Sequence, residues 1–202
     1  MTTYERIVSE SFQLFVKYGI RSVTMDDIAR HMGISKKTIY EHFRDKDDLL
    51  KQGMLHHKEQ QDKNIRYFIA TSSNVLDAIF KVMFESASNM HKVHVSFFTD
   101  LQKYHHSICQ EFIPRHQHEK TNLIQELLDR GVADGVFRND IDTSIVAKLF
   151  NHQLKALTDD EMFPSGEYSK AQIFRIIIEN YMHGIATGKG IEIIEELISK
   201  NK

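Results

Sequence analysis

The most constraining feature of this 202-residue sequence is the segment 24–43, T-M-D-D-I-A-R-H-M-G-I-S-K-K-T-I-Y-E-H-F. Thr24, with Asp27 three positions later, forms a capping-box-like pair of the kind that begins a helix. Gly33 stands where that helix needs a left-handed C-cap, and Ser35 is a suitable N-cap for a second helix. The segment therefore predicts two short helices joined by a glycine turn.

The apolar and polar residues of the segment divide between two sides of these helices. The residues predicted to be buried are Met25, Ile28, Ala29, Met32, Ile34, Ile39 and Phe43. The residues left facing outward on the second helix are Lys36, Lys37, Thr38, Tyr40, Glu41 and His42. Lysines in the first turn of a helix oppose the helix dipole, so their presence there indicates a negatively charged partner. Charged residues on an ordinary solvated hairpin are the alternative, but caps, glycine turn, apolar stripe and cations all occur here in register.

The segment resembles the DNA-binding domain of TetR-type transcriptional regulators. The preceding apolar stripe, which ends in Tyr18-Gly19, and the following D-K-D-D-L-L at 45–50 fit the same family. The resemblance implies that some of these side chains contact phosphates and that others approach base edges or the backbone. We expect the DNA-binding residues to be Thr24, Ser35, Lys36, Lys37, Thr38, Tyr40, His42 and Lys46.

Composition favours an all-α protein inside the cell. Hydrophobic residues make up 41% of the chain, enough for a core, and two prolines with no sustained strand-type alternation favour helices. No apolar run approaches the ~18 residues of a membrane span, and the N-terminus has no signal-peptide pattern, so we expect no membrane contact and a cytoplasmic location. A single cysteine fits a reducing compartment. With 26 basic and 28 acidic side chains, DNA affinity must depend on placement and on dimerisation.

The helical pattern predicts two domains. Residues 1–50 are expected to form an N-terminal three-helix domain with the helix-turn-helix, and residues 51–202 a larger helical bundle. The family resemblance implies that this bundle binds a ligand and forms a dimer. Helices are predicted at about 46–69, 75–92, 96–112, 116–130, 140–157, 168–188 and 192–199. The third of these is expected to end at Ile113-Pro114, because proline does not continue a helix.

The last two long helices are expected to form the interface of a homodimer. G-V-A-D-G-V-F-R-N-D-I-D and Y-M-H-G-I-A-T-G-K-G resemble the TetR-type segments that flank these helices, and the final long helix is apolar over more than one stripe. The alternative is the central helix of a monomeric bundle. A two-fold dimer would supply two recognition helices for two half-sites. The expected dimerisation residues are Ile145, Leu149, Ile173, Ile177, Tyr181, Gly184 and Ile185.

The family resemblance also implies a small-molecule effector, with no other cofactor, bound in the middle helices. Methionine and phenylalanine make adaptable apolar walls. The expected ligand-binding residues are Phe80, Met83, Phe84, Phe97, Phe98, Leu101, Tyr104 and Phe150. The alternative for most of them is a role in the ordinary core.

A histidine–cysteine cluster raises the possibility of a metal site. Among the 12 histidines, His91, His94, His105 and His106 lie near Cys109, and the pair 105/109 has the i, i+4 spacing of two ligands on one helix face. No four-ligand pattern is visible, so we expect no metal.

We therefore expect a sequence-specific DNA-binding regulator, a ligand-released repressor that binds a palindromic operator as a dimer. The sequence shows no nucleophile–base pattern, phosphate-binding glycine loop or zinc-hydrolase motif, so an enzyme is not expected. The alternative is a helical metal- or small-molecule-sensing interaction protein that does not bind DNA. The operator, the effector, the genes regulated and the sign of regulation cannot be derived from the sequence.

Overall fold

The protein is built from helices, as the sequence predicts. The computed structural model describes residues 2–90, 93–159, 161–164 and 166–200, with the backbone alone described at 83, 84, 86–88, 90, 155, 158, 171 and 200. The α-helices of this part of the chain are α1 Thr3–Tyr18, α2 Met25–Met32, α3 Lys36–Tyr40, α4 Lys46–Thr71, α5 Val75–Met90, α6 Ser96–Tyr104, α7 His106–Ala133, α8 Thr143–Gln153, α9 Lys170–Ile185 and α10 Gly188–Lys200. A 3₁₀ turn, Leu154–Thr158, follows α8. The same residues contain no β-strand, only an isolated antiparallel bridge between Phe137 and Ala186.

The chain forms two compact units that are each discontinuous in sequence. The first unit combines Met1–Asn64 with Lys92–Phe112, and the second combines Ile65–His91 with Ile113–Lys202. Helix α4 contributes residues to both, as does α7. The division at residue 50 that the sequence suggests stays a prediction.

The first unit has a core of side chains from α1 to α4 and from α6. Its largest fully buried members are Ile7, Phe15, Ile20, Ile28, Ile39, Phe43, Leu49, Leu50 and Leu101. Helices α1 and α4 cross closely where Gly53 meets Phe12, because a Cβ added at Gly53 would lie 2.9 Å from the Phe12 Cβ. Helices α1, α2, α3 and α6 and the start of α4 therefore contribute to the core of this unit.

The helices between residues 96 and 133 differ from the prediction. Helix α6 ends at Tyr104, and α7 begins at His106, so a single helix over 96–112 is wrong. His105 has φ −125° and ψ 45°, outside helical geometry, and its buried ring is held by a carboxylate from α4. Pro114 does not end a helix either, because α7 continues through it to Ala133. Proline removes one helical hydrogen bond, typically at a cost of about 3 kcal/mol, and the 28-residue helix retains its other turns.

The second unit has its own core, contributed by α5 and by α7 to α10. Its buried members include Leu76, Phe80, Leu128, Phe137, Ala147, Phe150, Phe174, Ile178, Met182 and Ile194. The helix predicted at 168–188 ends earlier, at Ile185, and α10 begins at Gly188, four residues before its predicted start. Gly190 lies so close to the loop before α8 that an added Cβ would overlap the Val136 carbonyl oxygen. No helix in the described part of the chain is long and apolar enough to cross a membrane.

Candidate nucleic-acid interface

Helix α2 has the cap at each end that the sequence predicts. The Asp27 N–H donates to the Thr24 Oγ1 at 3.2 Å, and the Thr24 N–H donates to the Asp27 carboxylate at 3.0 Å. Gly33 adopts φ 66° and ψ 31°, the left-handed conformation that glycine takes without a steric penalty. Helix α3 then starts from Ser35, whose Oγ accepts the Thr38 N–H at 3.0 Å. These bonds fix the direction of α3 relative to α2.

Helix α3 is anchored on one side and exposed on the other. Ile39 is completely buried, whereas Lys37 is exposed and Tyr40 retains 47% of its surface. His42 is also exposed, but it lies in the turn after the helix, since α3 ends at Tyr40. An ammonium, a phenol and an imidazole therefore project from one short segment with donors that suit phosphate oxygens and base edges.

Lys36 is exposed as well, but it is paired within the protein. Its Nζ donates to the Asp26 Oδ2 at 3.0 Å, and this hydrogen bond raises the pKa of Lys36. The side chains retain 45% (Lys36) and 61% (Asp26) of their surface, so the pair is solvated. No local periodicity predicts this contact, because it joins residues ten positions apart across the glycine turn.

Three of the predicted DNA-binding residues have structural roles, and a fourth is partly buried. Thr24, Ser35 and Thr38 are engaged in the caps described above, with the two hydroxyls of Ser35 and Thr38 2.9 Å apart. The Lys46 Nζ lies 5.7 Å from the centre of the Phe15 ring, and burial lowers the pKa of this lysine. Cap hydroxyls can still contact phosphate, so a DNA role for these residues stays a prediction.

Tyr4 is a residue at this face that the sequence interpretation did not include. Its ring stacks on Phe43 at a centroid distance of 5.1 Å and meets the His42 ring edge-on at 6.2 Å. Its hydroxyl donates to the Gln52 Oε1 at 3.2 Å. Tyr4 thus links the start of α1, the turn after α3 and helix α4. The sequence analysis predicted a helix before the helix-turn-helix, but no local pattern indicated that Tyr4 contacts the turn after α3.

Helix α6 is attached to the helices of the DNA-binding segment within the first unit. The buried Asp100 carboxylate accepts the Arg21 N–H at 3.0 Å, and the Arg21 guanidinium donates to the Tyr104 hydroxyl at 3.1 Å. The His105 Nδ1 and the Asp47 Oδ1 are 2.8 Å apart. These contacts join α6 and the residue after it to the loop before α2 and to the first turn of α4.

The residues predicted to bind an effector are divided between the units. Phe97, Phe98, Leu101 and Tyr104 belong to the first unit, where Phe97 packs edge-on against Phe12 of α1 at 6.0 Å. Phe80 and Phe150 belong to the core of the second unit. The side chains of Met83 and Phe84 lie outside the described residues. The structure does not gather these eight residues into one unit, and the predicted pocket stays a prediction.

The residues predicted to form a dimer interface also divide into two groups. Ile145 and Leu149 lie one turn apart on α8 and retain 54% and 55% of their surface. Ile173 and Ile185 are buried in the core of the second unit. The remaining three are the partly buried Ile177 and Tyr181 and the exposed Gly184. Ile176, which is 50% exposed on α9, was not among the predicted residues.

The histidine–cysteine cluster does not form a metal site in the part of the chain that the structure describes. No group of three or more His, Cys, Asp or Glu side chains there could hold a metal ion. His105 contacts Asp47, and the His106 and Gln110 side chains are 2.8 Å apart. His91 lies outside the described residues.

Comparison with known proteins agrees with this geometry. Residues 7–52 match the family model described as bacterial regulatory proteins, tetR family. The HTH-type transcriptional repressor KstR2 of Mycolicibacterium smegmatis is 24% identical over 181 residues, covering 88% of this chain and 87% of that protein. The structure of the ketosteroid transcriptional regulator KstR2 of Mycobacterium tuberculosis superposes with a TM-score of 0.62 at 18% identity, covering 92% of this chain and 96% of that one. A TetR-family regulator from Agrobacterium tumefaciens gives a TM-score of 0.73 at 17% identity, covering 91% and 97%.

The fold and the outward face of α3 define a helix-turn-helix protein that binds DNA and regulates transcription. The comparisons give no support to the alternative of an interaction protein that does not bind DNA. The match over the DNA-binding segment and the relatives of similar length then identify the family. The chain is a TetR-type transcriptional regulator.

Proposed function

We propose that this regulator is a ligand-released repressor that binds a palindromic operator as a homodimer. The observation that carries the proposal is the α2–α3 hairpin, whose caps hold Lys37, Tyr40 and His42 outward from a buried anchor at Ile39. A helix presented in this way can enter the major groove while its flanks contact phosphates. The name of the similar M. smegmatis protein supports a repressor, and the absence of a basic excess supports a need for two copies.

A homodimer would be held by the outward faces of α8 and α9. Ile145 and Leu149, which lie one turn apart on α8, and Ile176 on α9 are each at least half exposed, and exposed large aliphatic side chains of this kind mark a candidate interaction surface. A two-fold arrangement would use the same patch on both copies and would place two copies of α3 at half-sites about 34–36 Å apart. This pairing is a proposal supported by the exposure of the patch.

An effector would act by binding better to a conformation that is unfit for DNA. The similar regulator from M. tuberculosis is described as a ketosteroid regulator, which makes apolar ring compounds a reasonable first set to test. The aromatic residues of the second unit, Phe80 and Phe150 among them, are chemically compatible with such a ligand. We expect the protein to work in the cytoplasm and to need no other cofactor.

The test is selection of operator DNA from random duplexes, followed by binding measurements across a salt series. Enrichment of a palindrome, with affinity that falls steeply as salt rises, is the expected result. Neutralising both exposed lysines, as Lys36→Gln with Lys37→Gln, should weaken binding at least tenfold while the helical circular dichroism stays the same. A matched control is Lys63→Gln, because this exposed lysine lies on α4 about 25 Å along the helix from Lys46.

The outcome that contradicts the proposal is equally clear. If the double variant binds DNA as the wild type does, α3 is not the recognition element. If folded, dimeric protein enriches no sequence at any salt concentration, the helix-turn-helix does not serve operator DNA without a bound effector. Repeating the selection with steroid-like compounds present then separates an effector-dependent binder from a protein that does not select DNA.

A further inference from the structure

The ion pair between Lys36 and Asp26 lies at the exposed face of the helix-turn-helix. Lys36 is the first residue of α3, and Asp26 is in the first turn of α2, so the pair spans the two helices. The Nζ–Oδ2 distance is 3.0 Å, which is a direct charge-assisted hydrogen bond. Both side chains remain solvated, so the lysine can exchange this partner for another without crossing a buried state.

The position of Asp26 explains why the pair forms in the free protein. A lysine at the start of α3 is repelled by the positive end of that helix, whereas a carboxylate in the first turn of α2 is stabilised there. The left-handed glycine between the helices turns the chain so that the two first turns approach. The Asp26 carboxylate thus neutralises the Lys36 charge, which is unfavourable at the start of α3.

We propose that Asp26 is a specificity-determining residue for DNA, acting as an internal competitor for Lys36. This inference rests on the proposed function, in which Lys36 faces DNA. A phosphate that binds Lys36 brings a second anion next to the Asp26 carboxylate, so it must either displace that carboxylate or bind against its repulsion. A carboxylate that is displaced then repels the neighbouring phosphates. On DNA of unrelated sequence, phosphate contacts supply nearly all the affinity, so this competition weakens binding there most.

The operator can offer Lys36 a base edge as a partner, whereas DNA of unrelated sequence offers it mainly phosphates. A lysine ammonium has three donors and can bind guanine O6 and N7 in the major groove while one donor still reaches a carboxylate. On the operator, Asp26 can then keep its hydrogen bond to Lys36 and orient the lysine toward a base edge. The same pair therefore lowers affinity for random sequences and preserves affinity for the operator.

The experiment is a double-mutant cycle with Asp26→Asn, Lys36→Gln and the combination, measured on operator and on random duplexes over a salt series. Asp26→Asn should raise affinity for random DNA about two- to five-fold per recognition helix, the size expected for releasing one exposed ion pair. The slope of log affinity against log salt should steepen by about 0.9 per protomer, because one more cation takes part in counterion release. The ratio of operator to random affinity should fall.

The combined variant distinguishes this competition from a general charge effect. In the Lys36→Gln background, Asp26→Asn should raise the affinity for random DNA less than it does in the wild type, because only the repulsion between the carboxylate and the phosphates is removed. The salt slope should not steepen there, because no cation is released. The control Glu192→Gln removes one negative charge from an exposed position on α10 and should leave both quantities unchanged. Asp26→Ser is a second neutral variant, and circular dichroism with urea unfolding confirms that each variant is folded.

Each remaining outcome overturns one specific statement. If Asp26→Asn has the wild-type ratio of operator to random affinity and the wild-type salt slope, the proposed role of Asp26 is wrong. It is also wrong if Asp26→Asn raises the affinity for random DNA equally with and without Lys36. If Lys36→Gln with Lys37→Gln leaves DNA binding intact, the failure belongs to the proposed recognition face and not to Asp26. Because the cycle and the lysine variants are measured on the same duplexes, the two failures are distinguishable.

Discussion

At the scale of single residues, Tyr4 shows how the turn after α3 is held. His42 is exposed and lies beyond the last residue of the helix, so helical hydrogen bonds alone do not fix its ring. The Tyr4 ring contacts it edge-on and stacks on the buried Phe43. Aromatic contacts of this kind contribute about 0.5–1.5 kcal/mol beyond area burial. Tyr4 is therefore a positioning residue for a side chain that we expect to contact phosphate.

This geometry predicts different results for two Tyr4 variants. Tyr4→Ala should weaken operator binding about two- to ten-fold, because the contact energy that orders His42 is lost. Tyr4→Phe keeps the ring and loses only the hydrogen bond to Gln52, so it should bind nearly as the wild type does. In a His42→Ala background, Tyr4→Ala should have no further effect. Equal losses in both backgrounds, measured by fluorescence anisotropy, would show that Tyr4 does not act through His42.

The Thr24–Asp27 cap gives a prediction about pH. The Thr24 hydroxyl donates to the Asp27 carboxylate at 2.6 Å, and the Thr24 main-chain N–H adds a second bond, so the pKa of Asp27 is held below its usual range. Because the folded pKa lies below the unfolded value of about 3.9, this group stabilises the fold fully above that value. The contribution is lost as the pH falls from there through the lowered folded pKa.

Carbon NMR titration of the Asp27 carboxyl checks this directly. Thr24→Val removes the hydroxyl, so the midpoint should move up toward the ordinary value, with the main-chain bond and Arg30 retaining part of the shift. Thr3→Val, which removes an exposed hydroxyl elsewhere in the first unit, should leave the Asp27 midpoint where it was. An unchanged midpoint in Thr24→Val would mean that the hydroxyl does not set it.

Contacts between residues close together in the sequence could be predicted, and contacts between distant residues could not. The caps at Thr24, Gly33 and Ser35 depend on neighbours within a few positions, and the structure confirms them. The partners of Lys36 and Tyr4 depend on how α1, α2 and α3 pack, which no local pattern encodes. Sequence therefore located the recognition element and left the network around it undetermined.

At the scale of elements, α6 differs most from its prediction. Its apolar residues indicated a helix of the effector bundle, yet α6 belongs to the first unit. The apolar spacing was correct, since Phe97 and Leu101 are buried, but periodicity does not say against which helix a face packs. The break at His105 was equally inaccessible, because its partner Asp47 is 58 positions away.

Asp100 allows the attachment of α6 to be tested. Its carboxylate is almost fully buried and accepts the Arg21 N–H, so Asp100→Ala leaves that donor without its acceptor. The bond is only part-buried and Arg21 itself is exposed, so water can reach the donor in the variant. The expected loss of unfolding free energy in urea is therefore about 0.5–1.5 kcal/mol, the net contribution of a typical hydrogen bond. Asp100→Asn keeps an oxygen in place and should lose less. If the two variants unfold at the same urea concentration, the hydrogen bond does not hold α6.

At the scale of the whole molecule, the exposed aliphatic residues of α8 and α9 are the feature that a single copy does not explain. Leu149 and Ile176 stay at least half exposed although both helices contribute other residues to the core of the second unit. A stable dimer buries about 1,200–2,000 Å² in total, and a patch of this kind is a natural centre for such an interface. The wide apolar surface of the last long helix was visible in sequence, but which residues stay outside the core was not.

Leu149→Glu tests whether this face joins two copies. Because Leu149 is 55% exposed, the charge should leave each copy folded. At the centre of a dimer it would bury one unpaired carboxylate from each copy, which costs several kcal/mol per ion, so the dimer dissociation constant should rise by at least about 100-fold. Sedimentation equilibrium should then show monomers, and binding to the palindrome should fall to that of a half-site. The matched control is Tyr67→Glu at a 64% exposed position on α4, which should stay dimeric. A Leu149→Glu protein that remains dimeric would move the interface to another face and leave the exposure of Leu149 and Ile176 to a different partner.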